Sequence, residues 1–236
     1  MLAFKNIELK IGDRLLLKSD QVLLKSGMVA LVGRNGAGKS TLLRSILGEK
    51  QMSSGHIELD GKLIADYKSK EIAKKIAVVF SKPQLFGDHS VLDVMLLGRI
   101  PHQNIWGGNS QSDIQIVKTI AKKISVDHLL DKQFQLLSDG EKQLVMIGRA
   151  LAQSTDIILL DEPAAFLDVV NRSEVIKLLQ IIVKTEQKLI IYSTHHVVNL
   201  EQECDYLLLL DDQRMKFVKD RSNFKNSIQK AFNIEL

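Results

Sequence analysis

Residue patterning predicts an α/β fold, with a mostly parallel sheet, an antiparallel β part at its N-terminal end and an inserted block of helices. Short apolar runs fit buried strands at MVALVG (28–33), IAVVF (76–80), DIILLD (156–161) and KLIIYS (188–193). Between about 88 and 154 the pattern changes to helical periods with few β-branched runs. Strands alternating with helices on both sides of that block point to a parallel α/β core.

The elements follow in order. LAFKNIELKIGDRLLL alternates enough for two antiparallel strands turning at Gly12-Asp13. The run at 28–33 ends in glycine, as a buried strand entering a tight loop does, and a helix is expected over 39–47. HIELDGKLI (56–64) reads as a hairpin with Asp60-Gly61 at its turn. Helices are expected at 91–98, 112–124 and 140–153, with the glycine-rich WGGNS (106–110) separating the first two. Apolar spacing over 170–184 gives a core-facing helix. Strands at 206–210 and 215–218 and a short amphipathic helix complete the pattern.

Composition narrows the function. The 236 residues are 45% hydrophobic and 25% charged, enough for one substantial core. A net charge of +4 with only 5% aromatics lacks the footprint of a nucleic-acid binder. One cysteine, Cys204, excludes an intrachain disulfide and is expected to be a small apolar filler in a reducing compartment. No secretory leader and no apolar run of about 20 residues are visible, so the expected location is the cytosol, outside the lipid.

GRNGAGKST (33–41) fits G-x-x-x-x-G-K-[ST] between a strand and a helix. Its glycines let successive N–H groups face phosphate oxygens, and the helix start adds its positive dipole end. Lys39 would reach the β- and γ-phosphates, Ser40 would coordinate Mg²⁺, and Thr41 could donate to the α-phosphate. The competing reading, a glycine-rich connection that binds nothing, has to accept Gly36, Gly38, Lys39 and Ser40 in register by chance. ILLDEP (158–163) is an apolar strand ending in two acids. It would bring Asp161 to Mg²⁺ and Glu162 to the γ-phosphate, where Glu162 can orient or deprotonate a water. With no acceptor site nearby, the implied reaction is hydrolysis. In LLSDGEKQ, Ser138 and Glu141 form a capping box at a helix start, whose free N–H groups also suit an anion.

Taken in order, GRNGAGKST, LLSDGEKQ, ILLDEP, AAFLD and STHH resemble the ATP-binding cassette (ABC) ATPases across essentially the whole chain. The resemblance implies a P-loop NTPase core and a single cassette domain over 1–236. Within it the nucleotide-binding core would span about 1–87 and 155–236, and the α-helical subdomain about 88–154. It places Gly33, Asn35, Gly36, Gly38, Lys39, Ser40 and Thr41 on ATP, and Ser40, Asp161 and Gln84 on Mg²⁺. Glu162, His195 and Lys39 become the catalytic set. LLSDGEKQ falls on the family signature, so Ser138 and Gly140 would contact the γ-phosphate held by a second, head-to-tail copy. Leu167 and Asp168 fall on the loop that crosses that interface.

Departures are visible too. The adenine-stacking aromatic aligns with Ile11, so adenine would meet an aliphatic face there, or Phe4 would substitute. Ser81 stands where the family has its Q-loop glutamine, with Gln84 three residues later. Asp139 replaces a signature glycine and Glu141 a glutamine. A desolvated carboxylate aimed at a phosphate would be repelled, so Asp139 is expected to point away, toward solvent or a basic partner.

VLDVMLLGRIPHQN (91–104) resembles the importers of chelated iron, haem and cobalamin; helix packing ended by a proline is the plainer account. That branch implies permease subunits docking on the helical subdomain at the cytoplasmic face of the membrane. A periplasmic or surface substrate-binding protein would be an indirect partner. The alternatives are a soluble ABC ATPase without a permease, for instance an assembly factor in iron–sulfur biogenesis, or a cassette that binds nucleotide without turnover.

Overall fold

The computed structural model describes residues 1–81, 88–103, 108–165 and 167–235. The antiparallel part begins with β1 (Leu2–Ile11), β2 (Arg14–Ser19) and β3 (Val22–Leu24). One edge of β1 pairs β3 through Leu2–Phe4 and β2 through Ile7–Ile11, and its other edge pairs β5 (Ser54–Leu59). Between them in sequence come β4 (Gly27–Gly33), buried at every residue, and α1 (Lys39–Ile46). β5 turns into β6 (Lys62–Leu63) through Asp60 and Gly61, which have φ of 53° and 80°, the paired left-handed geometry of a type I′ hairpin.

α2 (Ser69–Ala73) leads into β7 (Ile76–Val79). The helical block holds α3 (Val91–Leu96), α4 (Gln111–Lys123) and α5 (Asp139–Ala152). The helix expected over 91–98 stops at Leu96, and Leu97–His102 winds on as a 3₁₀ turn through Pro101. Proline supplies no N–H for an α-helical bond. Gly98 lies so close to α5 that a Cβ there would sit 2.2 Å from the Arg149 carbonyl oxygen.

After the block come β8 (Ile157–Leu160), α6 (Val169–Glu186), β9 (Leu189–Thr194), α7 (Leu200–Glu203), β10 (Tyr206–Asp211), β11 (Arg214–Val218) and α8 (Phe224–Phe232). The sheet runs β6-β5-β1-β2-β11-β10-β4-β9-β8-β7, parallel from β10 to β7. β4, β9 and β8 are therefore neighbours whose C-terminal ends emerge side by side. Crevices at such ends are where ligands of open α/β sheets sit.

Two apolar clusters cover the sheet. One packs the helical block and α6 against β4, β8 and β9. The other joins the antiparallel part to α1. Phe4 belongs to the second and is fully buried, so it offers no face to a nucleobase. That corrects the expectation that Phe4 could stand in for the missing aromatic. Ile11, at the end of β1, is 56% exposed and remains available. Cys204 is buried, and burial pushes its thiol up to about 12, as an apolar filler requires. No helix among the described residues is long and apolar enough to cross a membrane.

Candidate functional site

β4 delivers Gly33 to the mouth of the sheet, where a Cβ would lie 2.9 Å from that of Leu210 on β10. Gly36 and Gly38 have φ of 78° and 97°, conformations that glycine adopts without strain. Lys39 opens α1 and is only 6% exposed. Its ammonium turns back into the loop, donating to the Gly33 carbonyl at 2.7 Å and the Arg34 carbonyl at 3.4 Å.

The start of α1 differs from those of α3, α4 and α5 in a way that matters for anions. α3, α4 and α5 carry reciprocal capping boxes, Ser90–Asp93, Ser110–Asp113 and Ser138–Glu141, each setting a carboxylate on the first turn. α1 begins at Gly38 with no side-chain cap and no acid in its first turn. Its orphan N–H groups and dipole end are left for an external anion. The loop thus fits a phosphate chain.

Asp161, buried, directly follows β8, and Glu162 comes next in the left-handed region at φ 50°. Ser193, at the end of β9, ties the two together. Its hydroxyl donates to Asp161 Oδ1 at 2.6 Å and accepts from the Glu162 backbone N–H at 2.8 Å. His195 follows on the same strand end, with Nδ1 3.8 Å from Glu162 Oε1 and an exposed ring. Glu162, Pro163, Thr194 and His195 line one wall of a cavity of about 190 Å³. Non-glycine residues held at positive φ cost roughly 1–3 kcal/mol and persist where surrounding bonds over-determine them. Here the Ser193 bridge does so.

Ser193 has no role assigned from sequence, where it stands only as the end of the 188–193 strand and the first residue of STHH. Ser193→Ala removes both bonds and leaves a partly buried N–H unpaired, costing about 1–3 kcal/mol. The expected result is a matching fall in the denaturation midpoint, with turnover reduced roughly tenfold or more as Glu162 loses its fixed orientation.

Ser138 and Gly140 belong to the helical block, Ser138 as the cap of α5 and Gly140 on its first turn. The Ser138 backbone N–H donates to Glu141 Oε2 at 2.8 Å, and the Glu141 N–H donates to Ser138 Oγ at 3.3 Å. The Ser138 backbone bond, with its hydroxyl, holds the Glu141 carboxyl below the usual range. Gly140 faces Asn171 of α6. Ser138 and Asp139 are both exposed, and Asp139 lines a cavity together with Glu162 and Gln143. Asp168 caps α6 by accepting from the Asn171 N–H at 2.8 Å. Ser81 is half-buried and shares a cavity with Glu162 and Gln143, while Gln84 lies outside the described residues.

A phosphate loop on β4, paired acids on β8 and a histidine on β9 therefore meet at adjacent strand ends. The family model for the ABC transporter matches residues 19–165, more than half of the chain. The chain belongs to the ABC transporter family. As an ABC cassette it binds and hydrolyses ATP. The petrobactin import ATP-binding protein of Bacillus anthracis is 33% identical over 231 residues, 95% of this chain and 84% of that protein. The molybdate import ATP-binding protein of Haemophilus influenzae is 33% identical over 203 residues, 85% of this chain and 74% of that protein. A metal-chelate type ABC transporter solved in an inward-facing conformation is 28% identical, with a TM-score of 0.87 over 99% of this chain and 89% of that one. The ABC fold and ATPase activity expected from the motifs stand.

Proposed function

We propose that this ABC ATPase powers import of a chelated metal, as an iron–siderophore, haem or cobalamin-type complex, through separate permease subunits. The observation that carries the reading is an incomplete site. Lys39, Asp161, Glu162 and His195 converge on adjacent strand ends, while the helix start at Ser138–Gly140 opens to solvent on the helical block. A second copy, head to tail, would bring that start over the γ-phosphate, where the Asp139 and Gly140 N–H groups, which the capping box does not use, add to the anion site.

In this reading Gly33, Asn35, Gly36, Gly38 and Thr41 cradle the phosphates with Lys39. As water oxygen bonds to the γ-phosphorus, Glu162 takes its proton and the bond to the β–γ bridging oxygen breaks, giving ADP and phosphate. His195 orients the phosphate and Glu162. Ser40 and Asp161 would hold Mg²⁺, which supplies neutralising charge on the phosphate oxygens. Hard oxygen donors with a single carboxylate suit that ion, which usually keeps waters and substrate phosphates as its other ligands. Among the described residues no group of three or more His, Cys, Asp or Glu competes as a metal site.

The GRIP stretch (98–101), the petrobactin relative and the metal-chelate transporter support a chelated metal and an inward direction. The molybdate relative favours a metal oxyanion as the second reading. The test is detergent extraction of native membranes with the tagged chain. An integral membrane subunit is expected to copurify, and deleting the gene is expected to abolish uptake of a labelled iron–siderophore. A chain recovered wholly in the soluble fraction, with no membrane subunit, would overturn the transporter reading. Loss of molybdate uptake alone would select the oxyanion.

A further inference from the structure

Residues 98–101 take no part in the chemistry above, yet Arg99 is among the few buried charged side chains, at 7% exposure. Its guanidinium reaches two parts of the helical block at once. Nε donates to Asp113 Oδ1 at 2.8 Å, on the first turn of α4. Nη1 donates to the Ala152 carbonyl at 2.6 Å and to Ser154 Oγ at 3.0 Å, at the end of α5. Ser110, and then Arg99, hold the Asp113 carboxyl down at about 2, so the pair is ionised at any working pH. Gly98 lies flush against the Arg149 carbonyl, and His102 Nε2 lies 2.8 Å from the Gln153 carbonyl.

The same end of α5 is also tied to the core sheet. Gln153 donates to the carbonyls of Ala73 and Ile76 at 2.6 and 3.0 Å, and Arg149 donates to that of Val78 at 3.0 Å. Thus the C-terminal turn of α5 is a node joining the 3₁₀ turn, α4 and β7. Its other end carries Ser138–Gly140. Fourteen residues at 1.5 Å each separate the ends by about 21 Å, so a tilt of about 10° at the node would move Ser138 by roughly 4 Å.

We propose that Arg99 is a positioning residue that locks the C-terminal end of α5, so that Ser138–Gly140 meets a second copy's nucleotide in register. This rests on the head-to-tail reading above. A planar fork with fixed donors suits two partners in different directions, which a helix packed by apolar contacts alone would not need.

The experiment measures ATP affinity of the full-length chain at low protein concentration, and turnover at saturating ATP as a function of protein concentration. It compares wild type, Arg99→Met and Arg99→Lys. Arg99→Met keeps the stem packing, and Arg99→Lys keeps the charge without the fork. ATP affinity is expected within about twofold of wild type, while turnover falls about tenfold and its half-maximum moves to higher protein concentration. Arg99→Lys should recover part of the loss, and it carries the test if Arg99→Met does not fold. Turnover within about twofold of wild type in Arg99→Met, or in Arg99→Lys where Arg99→Met does not fold, overturns the inference, as does a loss of ATP affinity in proportion to turnover. A wild-type turnover per chain independent of protein concentration would instead refute the head-to-tail reading.

Discussion

Lys39→Ala is expected to abolish ATP hydrolysis, by at least about 100-fold, without weakening the nucleotide-free fold. The side chain is buried, and its ammonium is held only by the Gly33 and Arg34 carbonyl oxygens, with no carboxylate within ion-pair distance among the described residues. A buried cation without a counter-charge costs folding free energy, so alanine should leave the melting temperature of the nucleotide-free chain unchanged or higher. In the proposed reading the triphosphate supplies the counter-charge. A ligand at 100 times its Kd stabilises a protein by about 2.7 kcal/mol, so ATP should raise the wild-type melting temperature clearly and leave that of Lys39→Ala almost unmoved. A preserved ATP-induced shift in the variant would mean that Lys39 serves the fold and not the phosphates.

Contiguity decided how much of this site was legible in the sequence. The loop at 33–41 is a single run because one backbone turn must present all its N–H groups, and its glycines and Lys39 have fixed spacing. Asp161 and Glu162 follow an apolar strand directly, and the Ser138–Glu141 box is closed within one helical turn, so each could be read locally. What joins them could not. Ser193 lies more than thirty residues from its two partners, and it reaches them because β9 inserts between β4 and β8. No local pattern encodes that strand order. Arg99 was visible only as part of the 91–104 stretch, because its partners on α4 and at the end of α5 lie 14 and 53 or more residues away. The three residues of β3 are too few to show a period. Phe4 misled because Leu2, Ala3 and Phe4 are all buried, both faces of β1 being covered there, so alternation did not reveal which side chains were accessible.

Glu162→Gln is expected to reduce turnover by roughly 10²–10⁴-fold while leaving ATP bound, since the amide keeps the shape but cannot take a proton from water. The substitution adds no strain, because glutamine at φ 50° is no worse placed than glutamate and the Ser193 bond to the backbone N–H is kept. It also removes a negative charge next to Asp161, so the nucleotide-free fold should be as stable as wild type or slightly more so. The fall in turnover therefore cannot be put down to unfolding. His195, whose Nδ1 lies 3.8 Å from Glu162 Oε1 in the wild type, keeps a polar neighbour of the same shape in the amide. With phosphate-loop contacts intact and cleavage blocked, the ATP state accumulates. If two copies close over it through Ser138–Gly140, size-exclusion chromatography with ATP and Mg²⁺ should show the variant at twice the monomer mass, returning to monomer once nucleotide is removed. A wild-type rate in Glu162→Gln would transfer the proton to another base. A blocked rate with no ATP-dependent dimer would keep Glu162 as the base and reject the second copy's part in the site.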